Sequence, residues 1–134
     1  MLKEVADTTE TTSRSVKDLF NLTGRVAIVT GGSIGLGRQI AEGLAEMGAN
    51  LVLCARRKER CQHAAENLQQ LGVRTLALGC DVTDPAEIQK VVDAAFSQFG
   101  RIDVLVNNAG ISWGAPAEEM SLADWNKVIE TNLT

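Results

Sequence analysis

The chain has no tyrosine, a single histidine, and only two tryptophans and three phenylalanines among its 134 residues. Aromatic faces on which bases could stack are therefore scarce. Its 13 basic residues are outnumbered by 17 acidic ones and form no stripe, so nothing favours nucleic acid as a partner. No apolar run approaches the roughly 20 residues that a membrane-spanning helix needs, and no membrane partner is expected. Cys54, Cys61 and Cys80 are odd in number and lack the spacing of metal ligands or a redox pair. They read as free thiols in a reducing compartment. His63, in a polar stretch, reads as a surface residue, and no metal site is expected. Met1 to Val16 is polar and Thr-rich, without the apolar centre of a secretory signal or the acid-poor composition of a transit peptide. A flexible tail over residues 1–20 and a cytoplasmic protein are the expectations.

What is present is a regular alternation. Val26-Ala27-Ile28-Val29 is a short apolar run that ends in a Gly-rich turn, followed by a helix-forming stretch from Gly37 to Met47. Leu51 to Cys54 is a second run, followed by a polar helical segment from Lys58 to Leu71, with Gly72 as its stop. Thr75 to Leu78 is a third run. Asp84-Pro85-Ala86-Glu87 then opens a helix to about Phe99, with an acidic cap, proline at the first helical position and a glutamate that can reach back to the cap. Ile102 to Val106 is the fourth strand, and a last helix opens at Ser121. Strands alternating with helices imply a parallel sheet with right-handed crossovers. Continuously apolar strands imply a sheet covered on both faces. The pattern predicts an α/β fold over residues 21–134, a Rossmann-type doubly wound parallel sheet in strand order 3-2-1-4.

The turn after the first strand reads Thr30-Gly31-Gly32-Ser33-Ile34-Gly35-Leu36-Gly37. Glycines there let a pyrophosphate approach the backbone, and the following helix offers unpaired N–H groups and a partial positive charge. The spacing G-x-x-x-G-x-G resembles the Thr-Gly-x-x-x-Gly-x-Gly signature of the short-chain dehydrogenase/reductase family. Asp81-Val82 after the third strand, Asn107-Asn108-Ala109-Gly110 after the fourth, and Asn132 in Thr131-Asn132-Leu133 fall in the order of that family's further motifs. The resemblance implies that Gly31, Ser33, Ile34, Gly35, Leu36 and Gly37 face a dinucleotide, with Asp81 and Val82 at its adenine and Asn108, Ala109 and Gly110 completing the cleft. It also implies a catalytic role for Asn132, which in the family holds a water behind a catalytic lysine.

In dinucleotide folds an acidic residue closing the second strand binds the ribose 2′-hydroxyl, whereas an arginine accommodates a 2′-phosphate. Here the strand ends Cys54-Ala55-Arg56-Arg57, so the acidic position is empty and Arg56 follows it. NADP(H) is expected to be preferred over NAD(H), although Ile34 stands where many NADP(H)-preferring relatives carry a basic residue. The family's reaction, hydride transfer between cofactor and an alcohol or carbonyl substrate, uses a serine and a Tyr-x-x-x-Lys pair. With no tyrosine in the chain, that chemistry belongs to a full-length parent, expected to be a homo-oligomer, of which this chain is the cofactor-binding part, incomplete at its C-terminus. The alternatives are an inactive nucleotide-binding module and an interaction fragment. An apolar fourth strand at an open sheet edge would make the isolated chain self-associate. Analytical ultracentrifugation checks this; a monodisperse monomer with a sharp thermal transition contradicts it.

Overall fold

Each of the four apolar runs forms a strand, and every pairing between strands is parallel. In the computed structural model, which describes residues 15–133, the strands are β1 (Val26–Thr30), β2 (Asn50–Ala55), β3 (Thr75–Gly79) and β4 (Val104–Val106). The helices are α1 (Val16–Leu19), α2 (Gly35–Glu46), α3 (Lys58–Gln69), α4 (Pro85–Phe99) and α5 (Leu122–Asn132), with a 3-10 turn at Ala117–Glu119. The sheet order is β3-β2-β1-β4, the order expected. Residues 1–14 of the segment read as a tail lie outside the described residues. Its remainder holds α1, one turn in which Ser15 and Asp18 cap each other reciprocally.

The central strands β1 and β2 are buried on both faces because their side chains alternate between two apolar layers, whereas Leu105 of β4 is exposed. Ala27, Val29, Leu51 and Leu53 face α2 and α3, where Ala41, Ala45, Ala64 and Ala65 keep the helices close to the sheet. Val26, Ile28, Val52 and Cys54 face the other way, against Val91 and Ala95 of α4. All three cysteines are buried free thiols. Burial pushes the Cys54 thiol up to about 12, so it stays protonated at neutral pH. His63 is exposed.

The helix ends follow the local chemistry, with one exception. The Asp84 carboxylate accepts from the N–H groups of Ala86 (2.8 Å) and Glu87 (3.4 Å), and Pro85 opens α4. Ser121 caps α5 by accepting from Asp124 N–H at 3.0 Å. The Glu87 side chain, expected to close a capping box, instead accepts from the N–H of Asp81 at 2.6 Å. Asp84 N–H is already bonded to Asp81 O, which leaves the glutamate free to anchor the start of the third crossover.

β4 begins at Val104 rather than Ile102 because Asp103 replaces a ladder rung with its side chain. Asp103 N–H donates to Val26 O, while the Asp103 carboxylate accepts from Val26 N–H, both at 2.9 Å. The guanidinium groups of Arg101 (2.6 Å) and Arg25 (3.0 Å) hold the same carboxylate. The Arg101 bonds, the Val26 N–H and Arg25 keep its pKa far below the usual carboxylate range. A depressed folded-state pKa stabilises the fold above the carboxyl's ordinary value of 3.8, and this contribution is lost as pH falls below that value. Asp103→Asn is expected to lower the thermal midpoint near neutral pH and to flatten its fall towards about pH 3; melts across that range read both effects.

Candidate cofactor-binding site

A parallel sheet brings the ends of all its strands to one edge, and the turns after β1, β2, β3 and β4 share it here. They enclose a cleft of about 1020 Å³. Gly31, Ser33, Ile34, Leu36 and Gly37 form its floor, and Arg56, Asp81 and Val82 one wall. Asn108, Ala109 and Gly110 form the opposite wall, with Ile111 and the α5 residues Lys127, Glu130 and Thr131 beyond them. A ligand at this position lies at the switch point of strand order, between β1 and β4.

The floor depends on glycine for two separate reasons. Gly31 has a φ of +65°, and a Cβ there would come within 2.9 Å of Asn108 Nδ2. A Cβ on Gly37 would collide with that same nitrogen and with the carbonyl oxygen of Gly31. These two glycines let the turn, the first turn of α2 and the end of β4 pack together. Gly35 differs: its φ is +56° and no atom lies within 4 Å of a Cβ built on it. α2 starts at Gly35, two residues earlier than its sequence pattern suggested, because glycine here supplies the left-handed backbone that turns the chain into the helix. Its N-terminus has no side-chain cap and no acid in its first turn, so its N–H groups are left for an anion. This is the chemistry a diphosphate needs, and the residues fit one.

Thr30 joins the floor to the far wall. Its hydroxyl donates to Val106 O at 3.3 Å and accepts from the N–H groups of Asn108 (3.0 Å) and Ala109 (2.9 Å). The Asn108 side chain returns the link, donating from Nδ2 to the carbonyls of Thr30 (3.0 Å) and Gly31 (3.4 Å). The Asn108 amide nitrogen is thus engaged with the backbone of the turn, and the side chain shapes the cleft.

On the near wall, Asp81 Oδ1 accepts from Thr83 N–H (2.9 Å) and the Thr83 hydroxyl (2.7 Å). These bonds, assisted by the charge of Arg56, hold the Asp81 carboxyl below its ordinary pKa, so it is an ionised acceptor at neutral pH.

Two candidate residues do not line the cleft: Gly35, which turns the chain into α2, and Asn132, which is placed elsewhere. Its Oδ1 accepts from Ile111 N–H at 2.9 Å and its Nδ2 donates to Ile111 O at 3.0 Å, and it lines a neighbouring cavity of about 430 Å³ rather than the cleft. Given a catalytic role by the family resemblance, it pins the loop after β4 to α5 through both ends of its amide. Trp113, 55% exposed, does not line the cleft. Sequence reasoning missed the structural part played by Thr30, Arg57 and Arg60 on the wall, and the contribution of α5.

A model of the family described as short chain dehydrogenase matches residues 25–134. Over 115 residues the chain is 43% identical to the rhamnolipids biosynthesis 3-oxoacyl-acyl-carrier-protein reductase of Pseudomonas aeruginosa, covering 86% of this chain and 44% of that protein. It is 40% identical over 126 residues to the D-threitol dehydrogenase of Mycolicibacterium smegmatis, covering 94% and 48%. The crystal structure of a short-chain type dehydrogenase/reductase from Mycobacterium marinum superposes with a TM-score of 0.84 at 35% identity, covering 87% of this chain and 46% of that one. The chain belongs to the short-chain dehydrogenase family, a family of oxidoreductases, and spans about half the length of the curated relatives it matches.

Thr30→Val keeps the shape of the side chain and leaves two partly buried N–H groups unpaired. It is expected to cost about 1–3 kcal/mol, whereas Thr30→Ser costs little; urea unfolding of the two variants measures the difference.

Proposed function

We propose that this chain is the NADP(H)-binding part of an oxidoreductase that transfers a hydride between NADP(H) and an alcohol or carbonyl group of a small-molecule substrate. The observation that carries the reading is the uncapped N-terminus of α2, opening behind a glycine turn into the same cleft as Arg56 and Asp81. The N–H groups of α2 bind the pyrophosphate, with Gly35 leaving room for it. Asp81 and Val82 receive the adenine, where an ionised carboxylate suits the exocyclic amino group as donor. Asn108 keeps the turn and the far wall in register, and Ala109 and Gly110 border the nicotinamide end. When bound, the cofactor supplies or accepts the hydride.

The match to the reductase and to the D-threitol dehydrogenase supports an alcohol or carbonyl substrate. Their different substrates leave this class as the proposal. The residues present contain no tyrosine, so the acid or base of the reaction is assigned to the whole protein. Asn132 takes its part in that setting by fixing Ile111 against α5. A cytoplasmic, homo-oligomeric whole protein belongs to the same reading, consistent with the lack, among the described residues, of a helix long and apolar enough to cross a membrane.

The preference for NADP(H) rests on Arg56 beside an empty acidic position at Ala55. A charge-assisted contact to a 2′-phosphate contributes about 1.5–3 kcal/mol, and solvent screening of an exposed arginine moves it to the lower end, near tenfold in affinity. Fluorescence titration of the chain is expected to give tighter binding for NADPH than for NADH. Ala55→Asp combined with Arg56→Leu should reverse the order. Equal affinities in the unmutated chain would overturn the assignment.

A further inference from the structure

The wall of the cleft that carries Arg56 holds more positive charge than one arginine. Arg56, Arg57 and Arg60 all line it, and among the described residues none of the three forms an ion pair, both ion pairs found there being on Asp103. Unpaired arginines on one concave surface repel each other, an arrangement that is relieved when an anion sits between them. Their placement follows from the helix. Cys61, Ala64, Ala65 and Leu68 are the buried stripe of α3, and this fixes its rotation. Arg60 stands four residues before Ala64, at the margin of that stripe, and it lines the same cleft as Arg56, which lies before the helix begins. α3 also begins without a side-chain cap, Arg57 being at the cap position. Across the cleft, Ile34 is 58% exposed and offers no charge.

We propose that Arg60 is a specificity-determining residue of the dinucleotide site, a second guanidinium that closes with Arg56 on the 2′-phosphate of NADP(H). The inference rests on the cofactor reading above and deepens it. A 2′-phosphate carries close to two negative charges at neutral pH and three acceptor oxygens, more than one exposed arginine neutralises. Arg56 comes from the end of β2 and Arg60 from the first turn of α3, so the two approach a phosphate from different directions. Ile34 then needs no basic replacement, because α3 supplies the second cation.

The test is calorimetric titration of the full chain and of Arg60→Met with NADPH, NADH, 2′,5′-ADP and 5′-AMP. Removing Arg60 is expected to weaken NADPH and 2′,5′-ADP by roughly fivefold to twentyfold, with far smaller changes for NADH and 5′-AMP. Arg60→Lys should recover part of the loss, and the dependence of NADPH affinity on salt should become shallower in Arg60→Met. Circular dichroism verifies folding, and Arg60→Gln replaces the methionine variant if that one does not fold. Unchanged NADPH and 2′,5′-ADP affinities in the variant, with the unmutated chain preferring NADPH, overturn the role of Arg60 and leave the cofactor reading standing. An unmutated chain without any preference overturns both. Equal losses for NADPH and NADH overturn a 2′-phosphate role, since they place Arg60 at a group the two cofactors share.

Discussion

The Thr30 hydroxyl is the point on which the cleft depends. It ends β1, the strand that pairs with both β2 and β4, and its single oxygen bonds Val106, Asn108 and Ala109. A glycine turn has little stiffness of its own, because its residues lose more conformational freedom on ordering than any others. Here the cost is offset by tying the turn to β4 from two sides, through Thr30 and through the Asn108 amide on the carbonyls of Thr30 and Gly31. Gly31 and Gly37 are the consequence: with the Asn108 amide seated between them, neither position has room for a Cβ. The anion-facing end of α2 is held against the sheet as a result.

The charges divide between the two edges of the sheet. At the edge where β1 and β4 begin, Asp103 gathers Arg25 and Arg101 into an ion-paired clamp that joins the two strands. At the opposite edge Arg56, Arg57 and Arg60 line the cleft, none of them in an ion pair among the described residues. One cluster is satisfied within the fold and the other is available to a ligand. Asp81 lies between these roles, because Thr83 engages one of its oxygens while Glu87 holds its backbone. Its own carboxylate is thereby positioned and kept ionised.

The architecture was legible in the sequence because it follows from local patterns. Four short apolar runs at the spacing of helical crossovers lead to a parallel sheet with right-handed connections, and the expected strand order is that of the Rossmann-type doubly wound fold. The Asp84-Pro85 start of α4 and the Ser121 start of α5 were legible for the same reason, since a cap and the N–H it accepts from are two or three residues apart. Glu87 shows the limit of such reasoning. Its spacing from Asp84 allows a capping box, but the competing partner, Asp81 N–H, lies six residues away across a turn whose shape the spacing does not reveal. Arg56 was legible as the residue closing β2. Arg60 was not, because its value depends on which side of α3 faces the cleft.

Short-range chemistry therefore set the elements, their order and the glycines a phosphate would need. Tertiary structure decided what the polar side chains do. Asn108 and Asn132 are alike in sequence terms, both amides in loop-prone or terminal positions, yet one staples β4 to the glycine turn and the other pairs with both polar groups of Ile111. Which carbonyl or N–H an amide meets is fixed by packing between segments some 21 to 78 residues apart. The half-buried Asn108 amide and the exposed Asn132 amide meet these partners only when the segments that carry them come together in the fold.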